Sequence, residues 1–342
     1  MKTMLLATVA ATALALPAQA ADLTLQSAFG RTLPILGPGA DRFVALVSTL
    51  TEGSVTFRHL GAGELAPPFE ILENVGLGAI DAGWSFAGYA EGQAPAAALF
   101  GSIPFGPDAI KYVSWVHHGG GLELWREAYE PFNVVPMPCG VIISEAAGWF
   151  TRPIESVDDL RGLNFRIGGL GGQILTRVGA NPVSLPAGEI STALQTGRLD
   201  GAELSFPSID ILLGFDQVAK HYYFPGWHQP SGFIEFYMNA DRWAGLSDAE
   251  RAAIETACHD VNAWTIGQAV AAQSPVLDEF RARGVEVKRL PDEVLAALRA
   301  AAEEVFAEQS AADDLFRRTW ESYRAFSVEY DAYQALSAFD RF

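Results

Sequence analysis

Seven short apolar or alternating runs, at residues 23–26, 55–59, 82–86, 141–143, 163–167, 201–205 and 234–239, punctuate the chain and read as strands. Helical patterns lie between several of them. Residues 41–50 carry one apolar face, and residues 189–195 follow a glycine and stop at Thr196-Gly197. Strand alternating with helix restricts the fold to the α/β class, with largely parallel sheets. Ser247-Asp248-Ala249-Glu250 is a capping box, which predicts a helix running through Cys258 towards Trp264. After Pro291 the chain has neither Gly nor Pro for 51 residues, so its end reads as helix.

A length of 342 residues predicts about two domains with ample core. The balance of 23 basic against 41 acidic side chains leaves a net charge of −18. Such a chain is repelled by phosphate backbones and gains nothing from counterion release, which excludes nucleic acid as the main partner.

The first twenty residues read as a leader rather than as fold. Lys2 supplies a positive start, residues 4–17 an apolar stretch, and Ala18-Gln19-Ala20 a small-x-small cleavage site. The apolar stretch is shorter than the ~20 residues needed to span a bilayer. An exported chain could pair Cys139 with Cys258. Cys139 sits in a Pro-flanked segment that reads as a turn and Cys258 on a helix, so two buried free thiols is the preferred reading, with a disulfide the alternative. The chain has no Cys-x-x-Cys, no His-Glu-x-x-His and no EF-hand loop, so nothing in it spells a transition-metal site. His117-His118 with Gly119-Gly120-Gly121 lacks the Lys-Ser/Thr of a phosphate loop and reads as a turn between helices.

The tail carries Phe316, Trp320, Tyr323, Phe326, Tyr330, Tyr333, Leu336 and Phe339 at steps of three or four. On a helix these form one stripe, which is either core of its own globule or the seat of another subunit.

Several motifs taken together identify a family. FRIGGLGGQ at 165–173, VGANPV at 178–183 and LQTGRLDGAE at 194–203 resemble the solute-binding subunits of tripartite ATP-independent periplasmic (TRAP) transporters, the DctP family. GAGEL at 61–65, IPFG at 103–106, GGGLEL at 119–124, GWF at 148–150 and YYFPGW at 222–227 extend the likeness, in order, over the chain beyond the leader. The nearest branch is the one with α-keto acid-binding members. The resemblance implies a two-lobed α/β periplasmic binding protein with a long connecting helix and a long C-terminal helix. Its expected divisions are a signal peptide at 1–20, lobe I at 21–138 plus 232–262, lobe II at 139–231 plus 263–311, and a dimerisation helix at 312–342, swapped between two subunits. It also implies a small organic acid as ligand, membrane permease subunits as partners and the periplasm as location.

The same resemblance assigns site residues. Arg166 falls where the family clamps a carboxylate, for which a guanidinium fork is suited because it donates two parallel hydrogen bonds and stays charged. Glu203 falls where keto-acid relatives hold a cation beside the substrate, with a backbone carbonyl from the next residue, here Leu204. Glu145 stands where those relatives carry Gln, and Gln229 where they tend to carry Glu. Trp227, Phe86 and Tyr89 lie in segments that line the cleft. Two carboxylates at one cleft repel unless a cation or proton intervenes. The site therefore calls for Ca²⁺ or Na⁺ bridging substrate and Glu203, or for a substrate with its own positive group. A periplasmic ligand-sensing module would use the same fold. A hydrolase or lyase acting through Glu145 and Glu203 is the remaining alternative, against which the chain offers no Gly-x-Ser-x-Gly and no cofactor motif. The expectation is a binding protein, not an enzyme.

Overall fold

The computed structural model of the chain describes residues 21–337; the leader at 1–20 and Phe339 lie outside the described residues. The strands are β1 (Ala21–Ser27), β2 (Val55–Leu60), β3 (Ala82–Phe86), β4 (Val134–Ile142), β5 (Gly148–Phe150), β6 (Asn164–Arg166), β7 (Asn181–Val183), β8 (Gly201–Ala202), β9 (His221–Phe224), β10 (Gly232–Asn239) and β11 (Glu286–Arg289). They build two sheets, ordered β2-β1-β3-β10-β4 and β11-β9-β5-β8-β6-β7. Helices pack on both, as the alternation of the sequence requires. The sheets are mixed. β10 runs antiparallel to β3 and β4, and β5 antiparallel to β8 and β9, while the remaining pairs are parallel.

Each of the seven runs read as strands overlaps one. The four strands outside those runs, β5, β7, β9 and β11, are three or four residues long, too short for a period-2 pattern to register. β4 begins seven residues before the run at 141–143 because Pro136 and Pro138 read as a turn. As the edge of its sheet, β4 pairs only with β10, so a missing N–H there costs no ladder bond on the outer side.

The helix Asp248–Ala282 is the spine of the molecule. Ser247 and Glu250 cap it reciprocally, as the capping box requires. It runs well past Trp264, through Pro275, because a single internal proline removes one hydrogen bond from a helix anchored along its length. Val261 and Ala257 are buried beside β4, where Asn262 Nδ2 donates to the Pro138 carbonyl at 3.1 Å and Val141 N–H to Thr265 Oγ1 at 2.8 Å. At the far end Phe280 packs edge-on to Trp149, 4.9 Å away, which itself stacks on Tyr222 at 4.0 Å in the second sheet. One helix thus serves both layers.

This helix also corrects the reading of the cysteines. Cys139 in β4 and Cys258 on the helix are bonded as a buried disulfide, 119 residues apart in sequence, and not left as free thiols. Their local sequences differ, and only the packing of helix on strand brings them together. Closing a loop of that length restricts the unfolded chain, so replacing both cysteines with Ala is expected to lower unfolding stability by about 2–4 kcal/mol. Denaturant titration checks it: an unchanged midpoint would show that the pair contributes nothing as a crosslink.

The helix Ala109–His118 ends at the His-Gly run and the helix Gly121–Tyr129 follows, which confirms the turn. The end of the chain is two helices, Asp292–Ala312 and Asp314–Ser337, broken at Asp313, whose carboxylate accepts the Phe316 N–H at 2.6 Å. The aromatic stripe divides into a buried and an exposed part. Phe316 and Tyr323 are buried in the chain's own core, and Trp320 stacks on Phe306 at 4.2 Å. Tyr333 and Leu336 are 67% and 88% exposed.

Candidate functional site

A cavity of about 440 Å³ lies between the two sheets, with walls from both. The parallel strands β6 and β8 aim their carboxyl ends at it, the place where α/β sheets present binding groups. Arg166 is the last residue of β6, and Glu203 follows β8, its N–H bonded to the Arg166 carbonyl at 3.0 Å. The guanidinium is fixed on three sides. Nη1 donates to Glu203 Oε1 at 2.8 Å and to the Glu203 carbonyl at 2.6 Å, and Nε to the Leu185 carbonyl at 3.1 Å. Both side chains are buried.

The loop after β4 supplies Glu145, 1% exposed. The loop after β9 lies against it: Glu145 N–H donates to the Gln229 carbonyl, and Gly226 N–H to the Glu145 carbonyl at 2.9 Å. A Cβ on Gly226 would stand 2.5 Å from that carbonyl, so only glycine permits the approach. Gly171 serves a similar purpose, since a Cβ there would meet Ile167 at 2.7 Å and His228 at 3.0 Å.

His228 completes the charged end of the cavity. Its Nε2 lies 3.3 Å from Glu203 Oε2 and 3.7 Å from Glu145 Oε2. Burial pushes the Glu145 carboxyl up to about 8, against the pull of His228. Burial opposes the charge on Glu203 as well, but Arg166 and then His228 outweigh it and hold its carboxyl below the usual range. The imidazole, for which burial is again unfavourable, is pushed up to about 9 chiefly by Glu203 and Glu145.

Phe86, Tyr89, Glu145, Arg166, Glu203, Leu204 and Gln229 therefore line one cavity. Trp227 does not. Its ring stacks on Phe105 at 5.7 Å and faces a second, outer hollow, because neighbouring residues on this loop point opposite ways and His228 takes the inner side. Sequence reasoning missed His228, although its adjacency to the PGW motif and to Gln229 was a usable signal. Glu91 and Ser205, also on the cavity wall, were missed as well.

Glu145, Glu203 and His228 each offer a ligand atom within 4.8 Å of the others. Both Glu145 oxygens and both His228 nitrogens are buried without a hydrogen-bond partner. Buried polar atoms left so are costly, and carboxylate oxygens in such a cluster fit a hard cation.

Two lobes closing over a cavity with a fixed guanidinium and clustered carboxylates define a receptor for a small acid. The chain belongs to the DctP family, the bacterial extracellular solute-binding proteins of family 7 that serve TRAP transporters, whose family model matches residues 31–313. Its relatives are receptors rather than enzymes, which disposes of the hydrolase or lyase reading. It is 33% identical over 299 residues to a monocarboxylate 2-oxoacid-binding periplasmic protein of Nostoc sp., covering 87% of this chain and 82% of that one. A TRAP solute-binding protein of Bordetella bronchiseptica, solved as a mixed-occupancy dimer with calcium and picolinate in one site, is 30% identical, with a TM-score of 0.91 over 93% of this chain and 95% of its own. Another, from Pseudoalteromonas atlantica with sodium and pyruvate, is 26% identical, with a TM-score of 0.90 over 93% and 97%.

Proposed function

We propose that this chain captures a 2-oxo monocarboxylate between its lobes and delivers it to the permease subunits of a TRAP transporter. The observation that carries the reading is the held guanidinium of Arg166 beside the Glu145–Glu203–His228 cluster, in which Glu145 and His228 have no hydrogen-bond partner. Arg166 receives the carboxylate. Glu145, Glu203 and the Leu204 carbonyl hold a cation, Ca²⁺ or Na⁺, which supplies the positive charge that two buried carboxylates need. Gln229 offers its amide to the ligand, Phe86 and Tyr89 form the apolar wall, and Trp227 supports the loop from behind. The cations and keto acid named for the relatives support this division of labour.

Thermal shift tests it. A ligand at 100 times its Kd stabilises the folded chain by about 2.7 kcal/mol. Two-oxo monocarboxylates with Ca²⁺ present are expected to raise the melting temperature, and neutral sugars to leave it unchanged. Failure of every carboxylate to stabilise the protein would overturn the reading.

We place the lobe divisions near 138/139, 231/232 and 262/263, with the spine helix passing between the lobes; the start of β10 at Gly232 supports the second, whereas the pairing of β4 with β10 as far as Ile142 moves the first a few residues on. Lys2, the apolar stretch 4–17 and the Ala18-Gln19-Ala20 site support export to the periplasm after cleavage of residues 1–20. Assembly as a homodimer through the terminal helix is supported by the exposed Tyr333 and Leu336 and by the dimeric Bordetella relative. Tyr333→Asp combined with Leu336→Asp should convert the dimer to a monomer with the ligand site intact. Light scattering reads the mass, and a dimer that survives the double substitution would place the interface elsewhere.

A further inference from the structure

One more buried acid stands close to the charged cluster without lining the cavity. Asp210 lies in the helix Pro207–Leu213, just after the loop that carries Glu203, Leu204 and Ser205. Its Oδ2 accepts two hydrogen bonds, from the Trp149 indole at 2.9 Å and from the Tyr222 hydroxyl at 2.8 Å. Those two rings face each other across β5 and β9, and Phe280 of the spine helix meets both edge-on. Both are fully enclosed, so neither donor has water as a substitute partner.

This one oxygen joins the three segments that present the cluster. β5 follows the loop of Glu145, β9 leads into the loop of His228, and the helix of Asp210 closes the loop of Glu203. Nearer the cavity the first two loops are tied by short backbone bonds, from Ala147 N–H to the Tyr223 carbonyl at 2.7 Å and from Gly226 N–H to the Glu145 carbonyl. The tie between the loops of Glu145 and Glu203 is longer, from Ala146 N–H to the Ser205 carbonyl at 3.4 Å. Asp210 adds short ties from the Glu203 side to both of the others. Ca²⁺ takes its oxygen ligands at about 2.3–2.6 Å, so an error of about 0.5 Å in the spacing of two loops is felt as lost affinity.

We propose that Asp210 is a positioning residue for the cation: by holding Trp149 and Tyr222 on one carboxylate oxygen, it sets the loops of Glu145, Glu203 and His228 at the spacing a hard cation requires. The proposal rests on the function proposed above, because the spacing matters only if the cluster holds a cation. Burial pushes the Asp210 carboxyl up to about 7, against the pull of its two donors, and the charge of Glu203 adds to the push. With or without a proton on Oδ1, Oδ2 keeps its two donors. Oδ1 itself has no hydrogen-bond partner, so Asn can place its carbonyl on the donors and its amide nitrogen where no bond is broken. Ala leaves the indole N–H and the phenol enclosed without an acceptor and unties the three segments.

Calorimetry on the full chain with Ca²⁺ and Na⁺ tests this, together with Tb³⁺ luminescence lifetimes in H₂O and D₂O, which count the waters on a bound ion. In Asp210→Ala, cation affinity is expected to fall by about 10-fold to 100-fold, the usual cost of losing a group that orients metal ligands. Bound Tb³⁺ should then carry at least one more water than in the wild-type protein. Asp210→Asn should return the affinity to within about three-fold of wild type and restore the water count. Tyr222→Phe removes one of the two ties, should weaken the cation by about three-fold, and decides the matter if Asp210→Ala does not fold. A merely structural role lowers the melting temperature and moves neither affinity nor water count in the folded protein. Wild-type values of both in Asp210→Ala, or in Tyr222→Phe where the first does not fold, therefore overturn the role of Asp210 while leaving cation capture standing. Asp210→Asn as weak as Asp210→Ala overturns it too, because charge rather than the two bonds is then what the site needs. If the wild-type protein binds none of the three ions, the cation reading falls, and this proposal with it.

Discussion

Arg166→Ala is expected to weaken carboxylate capture by at least two orders of magnitude. The substitution removes the fork that would hold the ligand, together with the bonds that fix Glu203 and Leu185. It leaves Glu203 charged, buried and without its main counter-charge, and breaking a buried pair from one side costs about 3–5 kcal/mol. Spent on the site, that energy corresponds to a loss of affinity of roughly two to three and a half orders of magnitude. Arg166→Lys keeps the charge but loses the planar fork, and should cost about 1.5–3 kcal/mol. Calorimetry on both variants checks the order. The lysine variant also separates the ligand contact from collapse of the cavity, since the Glu203 carboxylate keeps a cationic neighbour. Unchanged affinity in Arg166→Lys would remove Arg166 from the ligand.

Exhaustive chelation should weaken binding of a simple keto acid by about 30-fold to 1000-fold. The ligand's carboxylate enters a cavity that already holds Glu145 and Glu203, and two like charges 4 Å apart repel by about 4 kcal/mol at an effective dielectric of 20. With the cation in place all three carboxylates are ionised, and it offsets what Arg166 and His228 do not; without it Glu145, pushed up to about 8 by burial, takes up a proton at neutral pH, which sets the lower end of the range. Re-addition of Ca²⁺ should restore affinity. Glu145→Gln removes one of the negative charges, so the variant should lose less on chelation and shift its preference towards Na⁺. If chelation leaves every ligand's affinity intact, the metal reading fails, and the remaining charge is met by His228 and Arg166 alone or by a cationic group on the ligand itself.

The sequence was most legible where one local rule acts alone. Ser247 with Glu250 announced the start of the spine helix, because a capping box is satisfied within four residues. Arg166 and Glu203 were found through their motifs, and they meet because both terminate parallel strands whose register places them side by side. Legibility failed where the third dimension decides. β7 and β11 are edge strands at the two ends of the second sheet, and pairing rather than composition makes them strands. Cys139 and Cys258 look unrelated until the helix lies across β4. Trp227 and His228 are adjacent, and the larger, more conspicuous side chain turned outward while the imidazole took the site. Likewise, the terminal stripe could not be divided into core and exposed halves without knowing where the first lobe ends beneath it.

A crystal structure of the protein grown with a 2-oxo monocarboxylate and Ca²⁺ tests the central claim most directly. The account predicts the ligand's carboxylate on the Arg166 guanidinium within the interlobe cavity, with a metal ion bound by oxygens of Glu145 and Glu203. A ligand found outside this cavity, or inside it with its carboxylate turned away from Arg166, would contradict the account.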